Sequence, residues 1–372
     1  MQAARKKLGL IVNPIAGMGG RVGLKGTNGR DTLKRAISLG AKPVSPGRAV
    51  EALKKLSPLR GEIQLITYPR EMGEDEAREA GFFPEVMGKI TPGQTTAEDT
   101  VKAAREMREK GVDLILAAGG DGTMGDIIGA VGTSVPILGI PAGVKLHSAC
   151  FANTPEAAGM IAARFLREGL PLREVEVMDI DEDSYREGRL SARLKGFALT
   201  PYEPTMVQST KEGSSGLDLA DQRAIARWVF ELMEPDCTYI LGPGTTTRAV
   251  AEELGIKNST LLGVDIIKNY KLVARDVNEE QILREIEGKK AVIIVSPIGR
   301  QGFIFGRGNQ QISPRVIELV GKENIWVLAT PQKLKLTPVL KVDTGDSDLD
   351  RRLRGYFRVI TGYREMRMVK VE

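Results

Sequence analysis

Short apolar runs alternate with glycine-rich turns and with polar stretches of helical period across the first 140 residues. Residues 8–12 read as a strand ending at Asn13-Pro14, and residues 62–68, 112–118 and 135–140 as three more. The third is apolar nearly throughout, which demands cover on both faces, as in the centre of a parallel sheet. Residues 95–110 open with a threonine and the Glu98-Asp99 pair and stop at Gly111, the start and stop signals of a helix. Strand, crossover helix and strand in this order predict an α/β fold, with an N-terminal parallel sheet and flanking helices.

Beyond residue 150 the pattern changes. Thr154-Pro155 opens a helix to about residue 168, and residues 175–200 turn strand-like around a polar turn at 181–188. A domain boundary is expected near 150–175, giving an N-terminal α/β domain over 1–150 and a C-terminal domain over 151–372. In the latter, residues 239–241, 261–267, 291–295 and 325–329 read as strands, and 246–254, 279–287 and 314–319 as helices. The tail, 356–371, alternates about Thr361-Gly362 as a hairpin does. The C-terminal domain is expected to be strand-rich or mixed.

Composition removes several classes of function. With 372 residues, 42% hydrophobic and 27% charged, the chain suits two globular domains rather than disorder. No apolar run approaches the roughly 18–20 residues of a membrane span, and the first residues lack a secretory signal, so a cytoplasmic protein is expected. Cys150 and Cys237 stand far apart with no CxxC spacing, which supports neither a disulfide framework nor a cysteine zinc site. His147 is the only histidine, so multi-histidine zinc sites and HExxH chemistry are excluded. Catalysis must then rest on carboxylates, backbone amides, hydroxyls and a hard metal. A net charge of +5 is mild for this length, and no basic run is interleaved with aromatics, so no nucleic-acid partner is expected. The expected partner is a small molecule, and the expected assembly a homo-oligomer.

The strongest chemical signal is Gly119-Gly120-Asp121-Gly122-Thr123 at the end of the all-apolar strand. Two glycines let the backbone pass close to a ligand, and a helix starting near Thr123 aims free amides at the same point, which makes an anion site. Asp121 is informative because a carboxylate in a phosphate loop is repelled unless it binds a metal or takes a proton from an incoming hydroxyl. The plainer alternative is that Asp121 caps the helix. A second strand and glycine turn, Asn13-Pro14 with Gly17, Gly19 and Gly20, falls on the same carboxyl edge, where ligands of parallel sheets bind. Neither turn is a Walker A loop or a GxGxxG fingerprint.

These motifs together resemble the NAD kinase and diacylglycerol kinase superfamily, whose shared motif is GGDGT. The segments Gly139 to Ser148, Gly242-Pro-Gly244-Thr245-Thr246-Thr247-Arg248 and Gly306 to Pro314 are similar to the ATP-NAD kinase-like branch that includes AcoX-type proteins. The resemblance implies an NAD kinase-like fold, a reaction between two domains, and ATP donating its γ-phosphoryl group to a hydroxyl with Mg²⁺ present. It assigns Asp121 to activating the acceptor hydroxyl or organising the metal, and Asn13, Pro14, Gly17, Gly119, Gly120, Gly122 and Thr123 to the nucleotide; no metal ligand is assigned. NAD, giving NADP, is the first acceptor implied. The Asn-Glu or Asn-Asp pair with which NAD kinases grip the dinucleotide has no copy here. Other readings are a lipid, sphingoid or polyol kinase of the same superfamily, a nucleotide-binding regulator without turnover, and a sugar-phosphate isomerase centred on Gly242.

On the acceptor side the candidates are Gly143, His147, Gly244, Thr245, Thr246, Thr247 and Asn309. Residues 242–248 form a sharp turn with three hydroxyls on the first turn of a helix, which can hold a phosphate or can simply bond to their own backbone. Gly263-Val264-Asp265 follows at a similar strand end. Lys25 and Arg30 are candidates for neutralising a phosphate beside the first glycine cluster. The acidic stretch 343–350, followed by Arg351, Arg352 and Arg354, reads as a solvated helix start and not as a metal site.

Overall fold

The computed structural model describes residues 5–24, 30–144, 146–180, 192–203, 206–207, 216–298 and 301–372. Lys25, the Arg30 side chain and the expected turn at 181–188 lie outside the described residues. The chain forms two compact units. Of the described residues, the first takes 5–18, 30–144, 146–180, 192–203 and 206–207, and the second takes 19–24, 216–298 and 301–372.

The first unit is built on a five-stranded parallel sheet. Its strands are β1 (Lys6–Val12), β2 (Ile63–Thr67), β3 (Glu85–Val86), β4 (Leu114–Gly119) and β5 (Ile137–Pro141), in the order β3-β2-β1-β4-β5. Period-two alternation sends successive apolar side chains to opposite faces. Leu8, Leu10, Leu114, Leu116 and Leu138 pack on the helices Ser45–Lys55 and Pro155–Glu168, while Ile11, Ile115, Ala117 and Ile137 face Ala97–Glu109 and Asp121–Val131. Helix starts follow their cap residues: Thr96 and Asp99 form a reciprocal capping box, and the Thr154 hydroxyl accepts from the Ala157 amide.

Helix Pro155–Glu168 and the antiparallel pair β6 (Leu172–Ile180) and β7 (Ala192–Pro201), expected in the second domain, pack with the first unit. Gly159 explains the helix's place. A Cβ there would lie 2.1 Å from the Ala52 carbonyl oxygen, so only glycine lets this helix lie against Ser45–Lys55.

The second unit carries a nine-stranded mixed sheet and is thus both strand-rich and mixed. Its strands are β8 (Thr238–Leu241), β9 (Asp265–Lys268), β10 (Lys271–Ala274), β11 (Ala291–Val295), β12 (Phe303–Phe305), β13 (Ile325–Leu328), β14 (Val339–Val342), β15 (Gly355–Gly362) and β16 (Glu365–Val371). The order is β10-β9-β8-β11-β13-β15-β16-β14-β12, with β8, β11, β13 and β15 mutually parallel. One face is covered by helices Glu279–Ile286 and Pro314–Val320, the other by Gly216–Leu232 and Thr245–Glu253. Both tryptophans of the chain, Trp228 and Trp326, are in this unit, and Trp326 stacks obliquely on Tyr239 with ring centres 5.8 Å apart.

Three expectations need correcting here. The strand expected over 261–267 starts only at Asp265, because the carboxylate of Asp265 accepts from the amide and hydroxyl of Thr260 and folds the preceding residues into a turn. The tail hairpin turns at Tyr363-Arg364, since Gly362 still pairs with Glu365. The stretch 343–350 is not wholly solvated: Asp346 caps helix Ser347–Leu353, but Asp343 is buried and ion-paired with buried Arg307.

One buried charge in the first unit has no such partner. Glu76 is 4% exposed, its Oε2 has no hydrogen-bond partner, and burial, seconded by nearby Asp75, Glu71 and Glu79, pushes its pKa up to about 7. A carboxyl whose folded pKa is raised binds more protons folded than unfolded, so its contribution to stability falls as pH rises from about 4.5 to 7. Glu76→Gln should therefore raise the unfolding free energy at pH 8 by up to about 3 kcal/mol and change it little at pH 4. Urea unfolding of both proteins at the two pH values checks this, and an equal effect at both would refute the assignment.

Candidate functional site

In the first unit the two glycine turns meet because their strands are neighbours in register, Val12 beside Ala118. The Asn13 amide N–H donates to the Ala118 carbonyl at 2.9 Å, and its Nδ2 donates to the Thr123 hydroxyl at 2.9 Å. The turn after β5 joins them: the amides of Ala142 and Gly143 donate to the Gly119 carbonyl at 3.1 and 3.0 Å. Gly17 adopts φ +80°, and a Cβ there would fall 2.0 Å from the Ala142 oxygen. A Cβ on Gly119 would lie 2.5 Å from the Thr123 side chain, and one on Gly120 would lie 3.3 Å from the Gly143 Cα. Gly17 and Gly120 let backbone approach backbone, and Gly119 makes room for the Thr123 side chain. Gly122 differs, being exposed with no atom within 4 Å of an added Cβ, so its surface is the open one.

Helix Asp121–Val131 starts beside this junction with Gly120 as N-cap and no side-chain cap bond. A helix start of this kind, with first-turn amides and dipole uncapped by a side chain, can hold an anion. Asp121 stands in the first turn and is 7% exposed. Its Oδ2 accepts from the His147 amide at 2.8 Å, and its Oδ1 accepts from the Ser148 amide at 2.9 Å and the Ser148 hydroxyl at 2.5 Å. Ser148 Oγ in turn accepts from the Met178 amide at 3.0 Å, which carries the network into β6. The carboxylate thus fastens the 146–148 segment to the helix start. Burial, with the charge of Asp121 added, pushes the Cys150 thiol well above its ordinary pKa, so it is no nucleophile.

His147 is buried rather than on the surface, and Gly143 is partly buried against Gly120. Pro14 is partly buried beside Asn13. Ser148 was not singled out by sequence reasoning: its bond to Asp121 spans 27 positions and leaves no local mark.

The second unit places the 242–248 segment at the carboxyl edge of β8. Gly244, at φ +131°, is the N-cap of helix Thr245–Glu253, and the Gly242 amide donates to the Ile294 carbonyl of the next strand at 2.8 Å. The three threonines part company. Thr247 donates to the Gly244 carbonyl at 3.0 Å, the self-bonding alternative. Thr245 is exposed and accepts from Gln222 Nε2 at 3.3 Å. Thr246 is fully buried, and its hydroxyl has no partner.

Around this turn the structure assembles residues that no motif announced. Gln222 Nε2 also donates to Asp218 at 3.1 Å, and the other Asp218 oxygen accepts from the Thr330 hydroxyl. Lys333 Nζ donates to Ser296 Oγ at 3.1 Å. Burial pushes the Lys333 ammonium down to about 8, against the opposing pull of the Asp218 charge. Ser296 follows β11 and Thr330 follows β13, so the cluster sits at the carboxyl edge of three parallel strands, the place where such sheets bind ligands.

Asn309 takes a different role from the one expected of it. It is 1% exposed, its Nδ2 donates to the Ile304 carbonyl at 2.9 Å and its Oδ1 accepts from the Gly306 amide at 3.0 Å, so both ends of the amide shape their own turn. Asp265 is likewise held by Thr260 and the Asp276 amide. Among the described residues no group of three or more acidic, histidine or cysteine side chains can cage a metal ion. Mg²⁺ commonly arrives bound to nucleotide phosphates with few protein ligands, and such an ion needs no cage of this kind. No helix of the described residues is long and apolar enough to cross a membrane.

Two family models match the chain: the ATP-NAD kinase N-terminal domain over residues 8–170 and the ATP-NAD kinase C-terminal domain over residues 235–371. A comparison with curated proteins finds no match.

The crowding around Gly17 and the space around Gly122 predict opposite outcomes for the same small change. Gly17→Ala should lower the unfolding free energy by about 1–3 kcal/mol through its positive φ and the Ala142 contact. Gly122→Ala, in a helical first turn facing open space, should leave stability equal or slightly raised. Urea midpoints measure both; a Gly122→Ala variant as unstable as Gly17→Ala would show that the face is not open.

Proposed function

The chain belongs to the ATP-NAD kinase family and is an ATP-dependent kinase, and we propose that it transfers the γ-phosphoryl group of ATP to a hydroxyl of NAD, giving NADP. The observation that carries the reading is the 2.9 Å bond from Asn13 to Thr123, which brings two glycine turns and an uncapped helix start to one carboxyl edge. In this reading the triphosphate lies on the open face of Gly122, against the first-turn amides of helix Asp121–Val131. Mg²⁺ carried in by ATP would supply charge neutralisation of the phosphates. The loop Gly244 to Thr247 serves the acceptor.

Asp121 is proposed to take the proton of the acceptor hydroxyl. Its described donors include the amides of His147 and Ser148, which the backbone fixes, and the Ser148 hydroxyl, whose O–H can rotate away. An acceptor hydroxyl replacing that bond would place its proton on a buried carboxylate, where general-base chemistry is commonly worth 10²- to 10⁴-fold. The same carboxylate holds the 146–148 segment, so the chemical and positioning roles need separate readouts.

The direct experiment is incubation with Mg-ATP and a panel of NAD, NADH, nucleosides, polyols and lipids, reading phosphorylated products by mass. NADP formed in step with ADP is expected; phosphorylation of another acceptor with NAD untouched would remove NAD from the reading. Asp121→Asn should lower kcat by about 10²- to 10⁴-fold with ATP affinity nearly unchanged, whereas Ser148→Ala, which keeps the carboxylate, should cost less than tenfold. Equal losses in the two variants would make Asp121 a purely positioning residue. Gly122→Val should weaken ATP binding while the protein stays folded, since its side chain occupies space that the phosphates need.

A further inference from the structure

We propose that the polar cluster of the second unit is an anion site for a phosphoryl group of a soluble phosphoester, held between Lys333 and the start of helix Thr245–Glu253. The inference deepens the acceptor-side reading of the Gly244 loop and rests on it for its place in the reaction; binding itself is tested apart from turnover.

Three independent observations support it. The helix is 9 residues long and begins at a glycine N-cap with no side-chain cap, so its first amides are available to an anion. Thr246, in that first turn, is 0% exposed with a hydroxyl that meets no acceptor or donor, a group whose burial is costly until something supplies the bond. Lys333 carries three N–H donors, and its described hydrogen bond is the one to the neutral Ser296 hydroxyl. Gly244 ties the two halves together, because a Cβ there would lie 3.6 Å from Thr247 Oγ1 and 4.0 Å from the Ser296 Cβ. The site is therefore lined by the Lys333 ammonium, hydroxyls and the first-turn amides, converging from the ends of three adjacent parallel strands.

Asp218 is the one acid in the cluster, and it is engaged: Thr330 Oγ1 donates to one oxygen and Gln222 Nε2 to the other. Gln222 also holds Thr245, so Asp218 braces the loop and leaves the donors of Lys333 for a ligand. A tetrahedral phosphoryl group offers several anionic oxygens and can meet ammonium, hydroxyl and amide donors at once, which a planar carboxylate with two oxygens does less well. The phosphoryl group has two available sources, the pyrophosphate of a dinucleotide and a phosphate monoester.

The test is titration of the full chain with inorganic phosphate in metal-free buffer, followed by the ³¹P line width, for the wild type, Lys333→Met, Thr246→Val and Gly122→Val. Saturable broadening is expected for the wild type and Gly122→Val, with affinity at least tenfold weaker in Lys333→Met and Thr246→Val. Thr246→Val is isosteric and buries a methyl where a partnerless hydroxyl stood, so it keeps the test valid if Lys333→Met does not fold. Absence of saturable broadening in the wild type, unchanged affinity in both second-unit variants, or loss confined to Gly122→Val would overturn the site. Titration with NAD and with glycerol 3-phosphate then names the source: weakening of the first by Thr246→Val assigns the dinucleotide, and of the second a monoester. Weakening of neither would overturn the site. Failure here with intact Asp121-dependent turnover leaves the kinase reading standing, and the reverse result separates the two.

Discussion

The hydrogen bond from Asn13 to Thr123 is the joint on which the first unit's chemistry depends. A single such bond adds only about 1 kcal/mol of net stability, so its weight is geometric. It exists because β1 and β4 run parallel and in register, so that the residue after Val12 reaches the first turn of the helix after Gly119. From that joint the rest follows: Gly119 gathers the amides of Ala142 and Gly143, Gly17 settles under the Ala142 carbonyl, and Asp121 reaches the amides of His147 and Ser148. Three loops thereby meet at one rim beside the start of the helix.

The strands and most helix starts were legible because their causes are local. An all-apolar run needs two covered faces wherever it is, and Thr96 with Asp99, Thr154-Pro155 and Ser313-Pro314 carry their caps within four residues. Helix Gly216–Leu232 escaped because its buried positions Ile225, Ala226 and Val229 are diluted by charged neighbours. Strands β12 and β14 escaped because three or four residues carry too little alternation to read. The hairpin turn was misplaced by the pull of Gly362, a residue that pairs in the sheet.

The site divides in the same way. The glycine motifs marked the right turns, but Gly17 and Gly120 are small because other backbone lies against them and Gly119 because the Thr123 side chain does, whereas Gly122 has the openness expected of them. Asp121 was visible while its partner Ser148 was not, since pairing across 27 positions is a property of the fold. Lys333 looked like any lysine beside another at Lys335. What distinguishes it is where β13 ends and what waits there, namely Ser296, Thr330 and Asp218. Asp343 was misread for the complementary reason: its partner Arg307 comes from a loop 36 positions away.

The placement of both tryptophans in the second unit, one of them against Tyr239, has a spectroscopic consequence. Indole emission excited at the red edge of the absorption band reports the environment of that unit alone, and the parallel sheet bearing Asp121 is silent in it. A melting curve followed by this emission is the curve of half the molecule. Its coincidence with the helical ellipticity curve would mean that the two cores unfold as one cooperative block, and a gap between them would measure how independently each stands.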